Sequence, residues 1–171
     1  MIGTRIFAFS LFASLMVMAF VAPSSAADSC QPLVNAVSKL ATTPTHIYAS
    51  TGDGSDKPTN VEMIYIHGDV YGKVGSGWMR TNLKTQDMVA QTQDKEKGGS
   101  CRYLKDESVG GEAADVYSER SQSGEAQSQV WISKSRGLLL REETDISSGG
   151  KGPATHMSMR YEYSNVQTPK I

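Results

Sequence analysis

HMSMRYEYSNV, His156 to Val166, is the stretch whose reading decides the fold. Met157, Met159, Tyr161 and Tyr163 alternate strictly with Ser158, Arg160, Glu162 and Ser164. A period of two is the signature of a strand with one apolar and one wetted face. The same grammar runs back through the chain. NVEMIYIHGDVYGKV, residues 60–74, puts Val61, Met63 and Tyr65 on one face, Ile64 and Ile66 on the other, and a tight turn at Gly68-Asp69. CRYLKDESVGGEAADVYSER, residues 101–120, reads as two strands around Gly110-Gly111. QVWISKSRGLLLREE, residues 129–143, reads as a hairpin with Val130 and Ile132 on one face and Trp131 on the other. Its returning arm places Leu138 and Leu140 together and Leu139 opposite. Such short, turn-punctuated runs amount to about nine strands in hairpin order.

Two stretches break the period. SCQPLVNAVSKLATTP, residues 29–44, has Leu33, Ala36, Val37 and Leu40 at helical spacing. Pro32 sits in its first turn, where a helix tolerates proline, and Pro44 lies beyond its end. The residues after Thr85 are good helix formers and predict a polar helix with Met88 and Val89 turned inward. The expected architecture is α+β: a curled antiparallel sheet, an incomplete barrel, wrapped over one or two helices. The apolar sheet face must be covered, and so little helix leaves two alternatives: a core filled by its own side chains, or a ligand cavity.

The N-terminal residues 1–27 read as a secretory signal peptide. Arg5 is the charged start, an apolar run extends from Ile6 to Val21, and Pro23 leads into small residues up to Ala27. An uncleaved anchor is the alternative. Residues 28–171 then form one domain, periplasmic or secreted. The 17 basic and 18 acidic residues give a net charge of −1, which removal of Arg5 makes one unit more negative. No basic stripe is present, so nucleic-acid binding lacks its electrostatic driving force.

Cys30 and Cys101 are the two cysteines. In an oxidising compartment the simplest reading is one disulfide. The alternative, a reactive thiol, would want a CxxC or a neighbouring base, and neither flanks them. His46, His67 and His156 have no ligand at metal spacing, and no serine sits in a nucleophile elbow. The expectation is a non-enzyme without metal or cofactor.

The order of helix, hairpins, Trp131, Gly137, the run Leu138, Leu140, Glu142, and the ending Tyr161, Tyr163, Asn165 resembles the superfamily of the LolA and LolB lipoprotein carriers. The resemblance spans most of residues 28–171 as a pattern. It implies an incomplete barrel over helices, with an apolar cavity for acyl chains and a lipid or lipid-modified protein as partner. Peripheral contact with membrane proteins fits the same picture. On this reading Val130, Ile132, Leu138, Leu140, Met157, Met159, Tyr161 and Tyr163 form the ligand face. Leu33, Val37 and Leu40 cover part of it, and Trp78 and Trp131 are core or pocket aromatics.

Overall fold

The computed structural model describes residues 29–52, 57–96, 98–147 and 154–171. The expected signal peptide lies outside the described residues. The elements run α1 (Gln31–Lys39), β1 (Thr45–Gly52), β2 (Thr59–Ile66), β3 (Asp69–Val74), β4 (Gly77–Lys84), α2 (Thr85–Glu96), β5 (Ser100–Val109), β6 (Glu112–Arg120), β7 (Ala126–Ser133), β8 (Leu139–Ile146) and β9 (Thr155–Glu162). Both expected helices and the antiparallel sheet are present.

All nine strands join one sheet in the order β4-β3-β2-β1-β9-β8-β7-β6-β5. Two meanders, β1 to β4 and β5 to β9, are linked in sequence by α2. They are joined in space by antiparallel pairing of β1 with β9, in which Ile47 faces Tyr161 and Ala49 faces Met159. The sheet curls without closing, and β4 and β5 remain its edges.

Local chemistry explains the tight turns. Gly110 and Gly111 have φ of 58° and 86°, the paired left-handed conformations of a hairpin turn that glycine adopts without strain. The turn between β2 and β3 lies one residue earlier than the expected Gly68-Asp69. It is made by His67 (φ 53°) and Gly68 (φ 81°), and Asp69 already belongs to β3. Asp69 is held there by Arg80 at 2.7 Å and Lys84 at 2.6 Å.

The helices pack on one face of the sheet, here called the inner face. Leu33, Ala36 and Val37 of α1 are buried, as is Leu40 at its end. Val89 of α2 is buried and Met88 half-buried against the same core, as their inward expectation requires. This core joins Ile47, Tyr65, Val70, Val130, Ile132, Leu139 and Tyr161. Cys30, the residue before α1, is bonded to Cys101 of β5, with a Cα–Cα distance of 4.9 Å. The helix is thus tied to an edge strand, and no free cysteine remains among the described residues.

Two smaller apolar clusters lie on the outer face. One gathers Ala114, Val116, Trp131 and Leu140. The other gathers Ile64, Ile66 and Tyr71, with Trp78 and Val166 packed against them. The expected return arm of the β7–β8 hairpin is therefore corrected. Trp131 pairs with Arg141 but Ile132 pairs with Leu139, because a bulge interrupts the register between them. A bulge adds one residue to one strand and shifts which face the following side chains occupy. Leu139 takes the inner position, Leu140 turns outward onto Trp131, and Leu138 is buried in the connection before β8.

Candidate functional site

The antiparallel register sorts the inner face into rows running across the sheet. The row Tyr65 and Thr45, and the row Met63, Ile47 and Tyr161, lie in or beside the core under the helices. The next row is Val61, Ala49, Met159, Glu142, Val130 and Tyr117. Beyond it come Thr59, Thr51, Met157, Thr144, Ser128 and Glu119. Directly opposed residues share a face, so both rows belong to the inner side.

Cover thins along these rows. Val61 is 39 % exposed, Met79 51 %, Leu83 49 % and Ile146 39 %. Met63, Met157 and Met159 are half-buried. The register of β3–β4 and β7–β8 puts Met79 and Ile146 on the same side as these methionines. An apolar strip therefore crosses the inner face from β4 to β8, with methionine, the most adaptable apolar side chain, at its centre.

Of the residues expected to form the ligand face, the structure brings together Val130, Ile132, Met159, Tyr161 and Tyr163 around one core. Met157 joins them by register, opposite Thr144 and Thr51. Tyr163, just past β9, donates its hydroxyl hydrogen to the carbonyl of Leu139 at 2.6 Å and lies under the Arg136 guanidinium, 5.3 Å from the ring centre. Leu140 is not on this face, and Leu138 is not in its core. Trp131 and Trp78 are aromatics of the outer clusters.

The expected apolar face omitted one group, Glu142. In sequence it is in phase with Leu138 and Leu140, so the alternation that put the leucines inside also put Glu142 there. The bulge displaces Leu140 and leaves Glu142 on the inner side. Its carboxylate accepts from the Tyr161 hydroxyl at 3.1 Å and from the Thr144 hydroxyl at 3.1 Å. Thr144 in turn lies 2.9 Å from the Ser128 hydroxyl. Ser128 and Thr144 are buried. Burial pushes the Glu142 carboxyl above the usual carboxylate range, and the charge of Glu119 adds to this, while the Thr144 and Tyr161 hydrogen bonds oppose it. Burial, then the Glu142 charge, raises the Tyr161 hydroxyl well above its ordinary value.

The outer face is different in kind. Arg141 and Arg160 are directly opposed across β8 and β9. Each guanidinium stacks on a ring, Arg160 on Tyr48 at 4.3 Å and Arg141 on Trp131 at 4.9 Å. Each also has a carboxylate partner, Glu162 for Arg160 and Glu143 for Arg141. An open groove of about 640 Å³ is lined by Tyr48, Ser50, Asn60, Arg141 and Arg160 of this face and is also bordered by Ala49, Val61 and Met159. His46 stacks on Tyr48 and lies 3.3 Å from Glu62; His156 contacts Glu143 and Asp145, each at 2.8 Å. Among the described residues no three His, Cys, Asp or Glu side chains are grouped to hold a metal ion.

No family model matches the chain, and no curated protein matches its sequence. The chain is similar to solved structures. LprF from Mycobacterium bovis is 8 % identical, with 82 % of this chain and 95 % of that one covered and a TM-score of 0.47. MucB in complex with MucA(peri) is 11 % identical, with 78 % and 56 % covered and a TM-score of 0.49. A LolA superfamily protein from Nitrosomonas europaea is 9 % identical, with 78 % and 91 % covered and a TM-score of 0.34. The last of these belongs to the superfamily that the hairpin pattern resembles.

Proposed function

We propose that this chain is an exported, non-catalytic binding or carrier protein for an apolar ligand: a lipid, an acyl chain or a lipid-modified protein. Residues 28–171 act as one domain, and residues 1–27 direct export. The observation that carries the reading is the strip Met79, Met63, Val61, Met159 and Met157, which continues the buried core beyond the edge of its helices. Exposed apolar surface of this extent on a curved sheet marks a binding surface rather than an ordinary exterior. Each methylene of a bound chain removed from water contributes about 0.8 kcal/mol, so micromolar binding calls for an acyl chain of about ten or more buried carbons along the strip. A disulfide between Cys30 and Cys101 fits the oxidising compartment that export supplies.

The test is titration of a fluorescent fatty acid into the purified domain. Saturable binding is expected, lost in Val61→Asp and in Met159→Asp and retained in Ile171→Asp. Val61 is exposed, so its variant folds even where Met159→Asp does not. Mass spectrometry of the protein drawn from its native compartment should find lipid bound. Absence of binding by wild type removes the reading.

The outer groove favours a second reading, an interaction protein that docks a partner segment against Tyr48, Arg141 and Arg160. That reading gains if Arg160→Ala abolishes partner capture while the inner-face variants do not.

A further inference from the structure

Among the described residues, the inner face of the central strands holds a carboxylate and no cation to match it. On β1, β2, β7, β8 and β9, the described inner-face residues include no lysine or arginine, and Glu142 is the acid among them. Among the described residues Glu142 makes no ion pair, in contrast to Glu62, Glu112, Glu143 and Glu162, each of which does. Its hydrogen-bond chain also has a direction. Thr144 donates to Glu142, so the Ser128 hydroxyl donates to Thr144, and Tyr161 donates from the other side. With the carboxyl ionised, the Thr144, Ser128 and Tyr161 hydroxyls can all turn their hydrogens toward it. That arrangement solvates a negative charge and leaves the counter-charge unsupplied.

A half-buried carboxylate without a counter-ion is costly, and the cost disappears when a cation arrives with hydrogens to share. Met159 faces Glu142 directly across β8–β9, and Ala49 lies beyond it on β1. Methionine and alanine are thus its neighbours along the row, so a ligand lying along that row meets apolar surface beside the carboxylate.

Resting on the apolar-ligand reading above, we infer that Glu142 anchors the head group of the ligand, and that the ligand is an amphiphile carrying a hydrocarbon chain and a primary ammonium. The chain lies along Met159, Val61 and Met79, and the ammonium donates to the Glu142 carboxylate beside Tyr161 and Thr144. An anionic head is disfavoured by the Glu142 carboxylate. A neutral head leaves the carboxylate without its counter-charge. The shared chemistry is the ammonium, whether borne by a simple long-chain amine or by an ethanolamine-type lipid head.

The experiment compares dodecylammonium, dodecanol and dodecanoate of equal chain length, each below its micelle-forming concentration, on wild type and Glu142→Gln. Wild type is expected to bind the amine about tenfold or more tighter than the alcohol, the scale of one charge-assisted hydrogen bond. Glu142→Gln should lose that preference and keep its affinity for dodecanol, which also reports that the variant is folded. Equal binding of all three probes by wild type, or an amine preference that survives Glu142→Gln, overturns the inference while the apolar-ligand reading stands. If no probe binds, the apolar-ligand reading itself fails and this inference falls with it. A second arm separates the sources: lysophosphatidylethanolamine preferred over lysophosphatidylglycerol supports a lipid head, and a preference confined to dodecylammonium supports a bare amine.

Discussion

Ile132 on β7 faces Leu139 on β8, one residue past a bulge that leaves Leu140 on the opposite side of the sheet against Trp131. Leu139 is 2 % exposed and Leu140 is 6 % exposed, so burial alone does not tell them apart.

Double-mutant cycles do. Leu139→Ala should cost about 3 kcal/mol of unfolding free energy, within the range for a buried leucine. Its coupling to Ile132→Val should reach about 0.5 kcal/mol or more, while coupling to Trp131→Phe should be near zero. Leu140→Ala should show the reverse pattern. Urea unfolding of the single and double variants supplies the numbers, and a Leu140–Ile132 coupling would place the bulge elsewhere.

The Cys30–Cys101 bond closes a sequence separation of 71 residues. In the chain-entropy account such a loop contributes roughly 4 kcal/mol. The denatured, unreduced domain should show no free thiol to a thiol reagent. Changing both cysteines to serine should lower stability by about that amount and loosen α1 first, seen as faster amide exchange over residues 31–40. Two reactive thiols in the wild type would refute the pairing.

Glu142 carries a pH signature of definite sign. Its folded carboxyl is raised by burial above the ordinary glutamate value of 4.5. The folded state therefore keeps a proton that the unfolded state releases, and stability falls as pH rises from 4.5 through the folded value. Glu142→Gln cannot titrate. The stability difference, variant minus wild type, should grow from about pH 4.5 upward and level off once the folded carboxyl has ionised. Taking the difference removes the opposite slope of Glu62, Glu112 and Glu143, whose carboxyls are held low. A flat difference would mean that Glu142 is solvated as in the unfolded chain.

The two tryptophans should report different surroundings. Trp131 is 5 % exposed beneath the Arg141 guanidinium, and Trp78 is half-buried between His46 and Lys73. Emission of the Trp78→Phe variant, which keeps Trp131, should be blue-shifted. Emission of Trp131→Phe should lie further to the red and respond more strongly to an aqueous quencher. Neither should move on fatty-acid binding at the inner face, since both lie on the outer side.

Much of this architecture is written in local pattern. The amphipathic spacing of Leu33, Ala36, Val37 and Leu40 makes α1 wherever the chain ends up, and the alternation from Met157 to Tyr163 makes β9 an amphipathic strand. Two cysteines in an oxidising setting have one partner each. These signals need only neighbours a few residues apart, so the sequence by itself determined them. The pairing of β1 with β9 is another matter. Nothing near Ile47 announces Tyr161 more than a hundred residues later, and the contact is settled by the one arrangement that buries both beneath α1. The place of Leu139, the outward turn of Leu140 and the outer clusters around Trp131 and Trp78 follow from a single bulge and from sheet curl. Alternation gives parity only within an uninterrupted strand, and a bulge is selected by packing on both faces at once. Glu142 shows both sides of the division: its phase in the strand was legible, but its lack of a counter-charge became so only when five strands were laid beside one another.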